Sequence, residues 1–68
     1  MADREFTIIE TLIEFPKSGR RWHKELNLMK WGSNEPKYDL RGWNDDHTEM
    51  TKGVTFTVDE LDFLKRNI

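Results

Sequence analysis

The sequence predicts an α+β fold, a four-stranded antiparallel sheet followed by one C-terminal helix, and three observations predict it. Four segments with apolar alternation or β-favouring composition are separated by turn clusters of Gly, Pro, Ser, Asn and Asp. After Thr57 the apolar spacing changes from a period of two to a helical one. Finally, 68 residues allow one domain, spanning 1–68, with too small a core for more layers.

The first strand runs over Phe6 to Phe15, rich in Phe, Ile, Thr and Leu. Its alternation fails at Ile8-Ile9 and at Leu12-Ile13, which predicts bulges or burial on both faces. Pro16-Lys17-Ser18-Gly19 is a turn, since Pro presets φ and Gly tolerates a positive one, so the second strand, Trp22 to Trp31, forms a hairpin with the first. On that strand Leu26 and Leu28 take one face, and Glu25, Asn27, Met29 and Trp31 the other. Gly32 to Pro36 is the second turn, after which Tyr38 and Leu40 alternate with Lys37, Asp39 and Arg41. Gly42 to Lys52 reads as the longest loop, and Val54 to Thr57 as a short fourth strand matching the apolar face.

Thr57-x-x-Glu60 is a capping-box signature, with Asp59, Glu60 and Asp62 early in the helix and Lys65 and Arg66 late, which complements the helix dipole. About eleven residues of helix cannot stand alone, so Val58, Leu61, Leu64 and Ile68, on one arc, are expected to dock on the sheet. Phe63 points the other way. It is either a singly exposed aromatic or a contact across a two-fold axis; the small core favours the second. The chain has no cysteine, hence no disulfide or thiolate site to supplement that core, and self-association is the expected remedy.

Charged and hydrophobic residues are equal at 35%, near the boundary with disorder, but eight aromatic side chains place the chain among folded domains. The N-terminus has no cationic segment ahead of an apolar run, and no stretch approaches the roughly 20 apolar residues of a membrane span. A cytoplasmic protein, nucleoid-associated or free, is expected, with no membrane partner.

Catalysis is not expected. His23 lies in a basic strand and His47 in an acidic loop, neither beside a residue it would activate. Asp45, Asp46, His47 and Glu49 have the donors of an oxygen-and-imidazole metal site, but a polar turn gives the same composition, so no metal, cofactor or small-molecule substrate is expected.

The net charge of −2 argues against a nucleic-acid binder until it is resolved by position: residues 17–31 carry five basic side chains, one acidic one and two of the three tryptophans. Alternation then places Lys37, Arg41 and, if the strand continues, Trp43 on the sheet face opposite the helix, together with Trp31, preceded by Lys30. The hairpin adds Lys17, Arg20, Arg21, Trp22 and Lys24. Individually, such lysines and arginines are ordinarily a solvated face, and such tryptophans ordinarily core. Clustered, they suit single-stranded nucleic acid, whose phosphates need distributed positive charge and whose bases offer π-faces to flat rings. A protein-interaction adaptor using the same exposed aromatics is the alternative.

Lys37-Tyr38-Asp39-Leu40-Arg41, the run from Glu49 through Lys52-Gly53 to Thr57, and the capped helix ending Leu64-Lys65 resemble the positive cofactor four family, transcriptional coactivators with a single-stranded-DNA-binding domain. Lys24 to Asn27 and Glu35 to Asp39 are similar to its bacterial YdbC-like branch. The resemblance covers Phe6 to Ile68 and implies a curved sheet, a homodimer formed through the helices, with Leu61, Phe63, Leu64 and Ile68 at the contact, and single-stranded DNA, or RNA, on the concave face and first hairpin. It assigns Arg41, Lys52 and Trp43 to the nucleic acid, and Trp22 with Arg20, Arg21 and Lys24 to the hairpin contact. The 16–36 stretch is longer than in the eukaryotic domain and the serine-rich regulatory region is absent. A coactivator role therefore does not carry over; a role in transcription, replication or repair is the expectation.

Overall fold

Backbone pairing follows the alternation read from the sequence. The computed structural model describes residues 5–17 and 19–68; residues 1–4, and Ser18 in the first turn, lie outside the described residues. Strands β1 (Phe6–Glu14), β2 (His23–Trp31), β3 (Lys37–Trp43) and β4 (Val54–Phe56) form one sheet in the order β1-β2-β3-β4, followed by helix α1 (Val58–Arg66). Every neighbouring pair is antiparallel. Two apolar rows cross the sheet, Leu26–Leu40–Val54 and Leu28–Tyr38–Phe56, on the helix side.

The two failures of alternation in β1 are register shifts. Pairing passes from Ile8–Met29 to Glu10–Leu28 and from Thr11–Asn27 to Ile13–Leu26, leaving Ile9 and Leu12 unopposed. Each bulge bends the strand and increases its twist. Gly19 and Gly32 turn the chain with positive φ values of 142° and 56°, conformations that side-chain-bearing residues rarely adopt.

β3 extends two residues past the expected boundary at Arg41. Gly42 and Trp43 stay in the strand because the returning chain pairs with them: Thr51 N–H donates to Gly42 O at 3.0 Å, Gly42 N–H donates to Thr51 Oγ1 at 3.0 Å, and Trp43 bridges to Met50. The expected long loop is thus an ordered excursion at 44–49.

The helix carries its predicted cap. Glu60 N–H donates to Thr57 Oγ1 at 3.1 Å, and Thr57 N–H to Glu60 Oε1 at 2.9 Å. It ends two residues earlier than expected, where Asn67 donates its backbone and side-chain N–H groups to Leu64 O and Phe63 O. Of the arc expected to dock, Leu61 alone is buried, at 4% exposure; Val58, Leu64 and Ile68 are exposed. The reason is position: α1 packs over β3 and β4, at one side of the sheet, and an open apolar groove lined by Leu12, Ile13, Phe15, Leu26, Leu40 and Leu64 separates it from β1. Leu61, expected at a dimer contact, is therefore used within its own chain. Among the described residues, no helix is long and apolar enough to cross a membrane.

Candidate functional site

The face opposite the helix has the membership that alternation gives it, but not the openness. Phe6, Ile8, Thr11 and Glu14 of β1 pair with Trp31, Met29, Asn27 and Glu25 of β2, and the last three of these pair onward with Lys37, Asp39 and Arg41 of β3. In place of an exposed cationic surface, Asn27, Met29, Asp39 and Trp43 are completely buried and Glu25 is 1% exposed. Bent β1 brings the Phe6 ring to 5.5 Å from both Trp31 and Trp43, and the 44–49 excursion lays His47 at 5.1 Å from Trp43. The face thus closes on itself as a second, partly polar core. Trp43, expected to contact nucleic acid, is instead fully enclosed, with these rings against it.

Burying Asp39 requires a partner, since an uncompensated carboxylate in the interior is costly. Arg41 supplies it with two parallel hydrogen bonds, Nε to Oδ1 and Nη2 to Oδ2, both 2.7 Å. The same guanidinium contacts Met50 Sδ at 3.1 Å and lies 5.0 Å from the Trp31 ring centre. Arg41, expected to project freely toward phosphate, is committed to this network. The chain beside it is equally tight: a Cβ on Gly53 would lie 2.4 Å from Arg41 Cβ and 2.6 Å from Leu40 O, so the lead into β4 depends on glycine.

Glu25 is the second buried carboxylate. Asn27 Nδ2 donates to its Oε1 at 3.1 Å, and the Nε2 atoms of His23 and His47 stand 2.6 and 2.9 Å from its Oε2. Burial pushes this carboxyl up, but the hydrogen bonds from Asn27, His23 and His47, with the charge on His47, outweigh it and leave Glu25 below the ordinary carboxylate range. Two buried polar atoms on this face, Asn27 Oδ1 and Trp43 Nε1, have no hydrogen-bond partner among the described residues.

At the hairpin the excursion supplies countercharge. Lys17 pairs with Asp45 at 3.1 Å and Arg21 with Glu49, so these two expected binding cations meet acidic neighbours. Arg21 also lies over the half-buried Trp22 ring, 5.0 Å from its centre. Arg20, Lys24, Lys30, Lys37 and Lys52 are exposed and pair with no described acidic residue. Lys24 and Lys30 share the face of Leu26 and Leu28, on the helix side; Lys37, opposite Met29, is on the inner face.

The expected set is therefore not one surface. Trp22 with Arg20 and Arg21 forms a hairpin patch, Trp31 with Arg41 and Lys37 forms another at the other end of β2, and Trp43 is enclosed between them. What sequence reasoning missed is the Glu25 centre. Its signal was His23-x-Glu25-x-Asn27, three polar residues at a spacing of two on a strand whose other face is apolar.

No family model matches the chain. An uncharacterized protein of Treponema pallidum (strain Nichols) is 43% identical to it over 44 residues, which are 65% of this chain and 52% of that relative. The chain thus spans about half the length of the curated relative it matches.

Proposed function

We propose that this chain is a homodimeric single-stranded-DNA-binding module of largely sequence-independent affinity, as its resemblance to the positive cofactor four family implies. One observation carries the reading: Trp22 and Trp31, both half-buried, each lie beside a guanidinium 5.0 Å from the ring centre. A partly open indole offers a π-face to a base, and stacking contributes about 1 to 3 kcal/mol per base without reading its identity; Arg21 and Arg41 are already paired with Glu49 and Asp39, so charge for the phosphates falls to the other exposed cations. Arg20 and Lys24 lie within two residues of Trp22, and Lys37 shares the inner face with Trp31; all three are exposed. Recognition of a duplex major groove by α1 is disfavoured, because its nine residues lean on β3 and β4 with Leu61 inward.

The homodimer rests on the apolar surface that α1 leaves open. Val54, Val58, Phe63, Leu64 and Ile68 are 40% to 94% exposed around one helix. A chain of this size does not ordinarily leave so much of its scarce apolar surface in water.

The test is a titration of labelled single strands, the matching duplex and RNA at two salt concentrations, read by tryptophan quenching. Binding to oligo-dT and oligo-dA alike is expected, weakening by about 0.7 log units per phosphate contact for each log unit of salt. Trp22→Ala and Trp31→Ala should each cost about 1 to 3 kcal/mol of binding with the fold retained. Absence of single-strand binding at low salt would leave the adaptor reading in its place.

A further inference from the structure

His23 and Glu25 stand two apart on β2, so one face of the strand presents both, and His47 reaches the same point from the 44–49 excursion. The donor atoms of the three residues all lie within 4.8 Å of one another. His23 Nε2 is 2.6 Å from Glu25 Oε2, and His47 Nε2 is 2.9 Å from that same oxygen and 3.1 Å from Oε1. Glu14, opposite Glu25 on β1, brings its Oε2 to 3.6 Å from His23 Nε2. These groups take no part in the proposed contacts with a single strand.

The geometry points to a divalent transition-metal site of the zinc class here, with His23 Nε2, His47 Nε2 and the Glu25 carboxylate as ligands and Glu14 or a water completing four. Tetrahedral zinc with bonds of about 2.0 to 2.1 Å sets its ligands about 3.3 Å apart. The separations of 2.6 to 3.6 Å between the histidine nitrogens and the carboxylate oxygens straddle that spacing, and the donors of His23, Glu25 and His47 all lie within 4.8 Å of one another, so modest side-chain adjustment would admit an ion. Charge fits as well: Glu25 is 1% exposed, and a bound dication would balance its buried carboxylate. With imidazole and carboxylate donors and no cysteine in the chain, the set suits zinc, cobalt or nickel and not soft thiophilic ions.

The supporting shell is already in place. Asn27 Nδ2 holds Glu25 Oε1, as outer-shell donors orient ligating carboxylates. His47 adopts φ 59°, a left-handed conformation that costs a non-glycine residue energy and persists only where its surroundings impose it. Here the His47 N–H bond to Asn44 O, the Glu49 N–H bond to Asn44 Oδ1 and the Trp43 ring impose it, and they aim Nε2 at Glu25. An ion would fasten the excursion to β2, and with it the Asp45 and Glu49 partners of the hairpin cations.

The test uses the tag-free full chain, freed of metal by chelation and titrated with Zn2+ and, separately, Co2+. One ion per chain is expected, with a rise in Tm and, for Co2+, the intense visible bands of a four-coordinate site. His47→Ala and Glu25→Gln should each weaken Co2+ affinity at least about tenfold, the loss that even outer-shell changes cause at metal sites. Pale octahedral Co2+ bands, or affinity unchanged in His47→Ala, would overturn the site. Should a variant fail to fold, the native chain still decides: its two histidines are both proposed ligands. Stoichiometric Zn2+ must then shift both sets of ring-nitrogen NMR signals, and unshifted signals overturn the site.

Discussion

Replacing Trp43 tests whether the inner face is core or binding surface. Trp43 has no exposed area and contacts Phe6 and His47 at 5.5 and 5.1 Å between ring centres. Trp43→Ala removes the largest fully buried side chain and leaves a cavity that Phe6 on a bulged edge strand and His47 on a short excursion can only partly fill. The expected loss is about 3 to 5 kcal/mol. A domain of this length has in total about 3 to 10 kcal/mol of stability, so the variant should be extensively unfolded or nearly so. Trp43→Phe should be much milder, because it keeps a ring against Phe6 and removes an Nε1 donor that is buried without a partner. Urea unfolding followed by far-ultraviolet circular dichroism, at one fixed protein concentration because self-association would contribute, gives both numbers. A Trp43→Ala chain that keeps its urea midpoint but loses single-strand affinity would refute the reasoning and return the ring to the surface.

Arg41→Ala should cost about 3 to 5 kcal/mol by stranding the buried Asp39 carboxylate, and an Arg41→Met, Asp39→Leu double variant should recover much of it, measured by the same urea transitions. Thr57→Ala removes the hydroxyl that accepts from Glu60 N–H and should lower stability by about 1 kcal/mol, seen as a shift in urea midpoint without a change in slope. Phe63→Glu places a charge on a side chain 63% exposed, so an isolated chain should tolerate it, whereas a dimer formed through the helices should dissociate in sedimentation. A variant that still dimerises would move the contact off Phe63.

The parts of this fold that follow local rules were legible in the sequence. Leu26 and Leu28 against Tyr38 and Leu40, the slips at Ile9 and Leu12, and the Thr57 to Glu60 box each depend on neighbours within a few residues or on strict parity. Enclosure of the inner face was not legible, because it arises from accumulated bending of β1 and from His47 meeting Glu25 across 22 residues. The same distance effect explains Lys17 and Arg21: their partners, Asp45 and Glu49, are 28 residues away, in a segment that by itself reads as a polar turn. Arg41 was readable in principle, since Asp39 and Arg41 share a strand face, but alternation alone does not reveal that the carboxylate is buried. The docking arc of α1 was correct in direction and wrong in extent, because helical period locates an apolar stripe without saying how much sheet lies beneath it.

The paired bulges of β1 also bear on how this molecule avoids the hazards of its own edges. β1 is an edge strand of nine residues that exposes Ile9, Leu12 and Ile13 and is followed by exposed Phe15, a composition that would template the stacking of further strands if the edge were regular. Its regular pairing runs are interrupted after Ile8 and again after Thr11, so the longest uninterrupted run is the three residues Phe6 to Ile8. An incoming strand in regular register would lose step with the row of N–H and C=O groups within about one hairpin's worth of pairing. The opposite edge, β4, is itself three residues long. Neither border of the sheet can recruit a long partner strand, which directs association toward faces of finite size and away from open-ended fibrils.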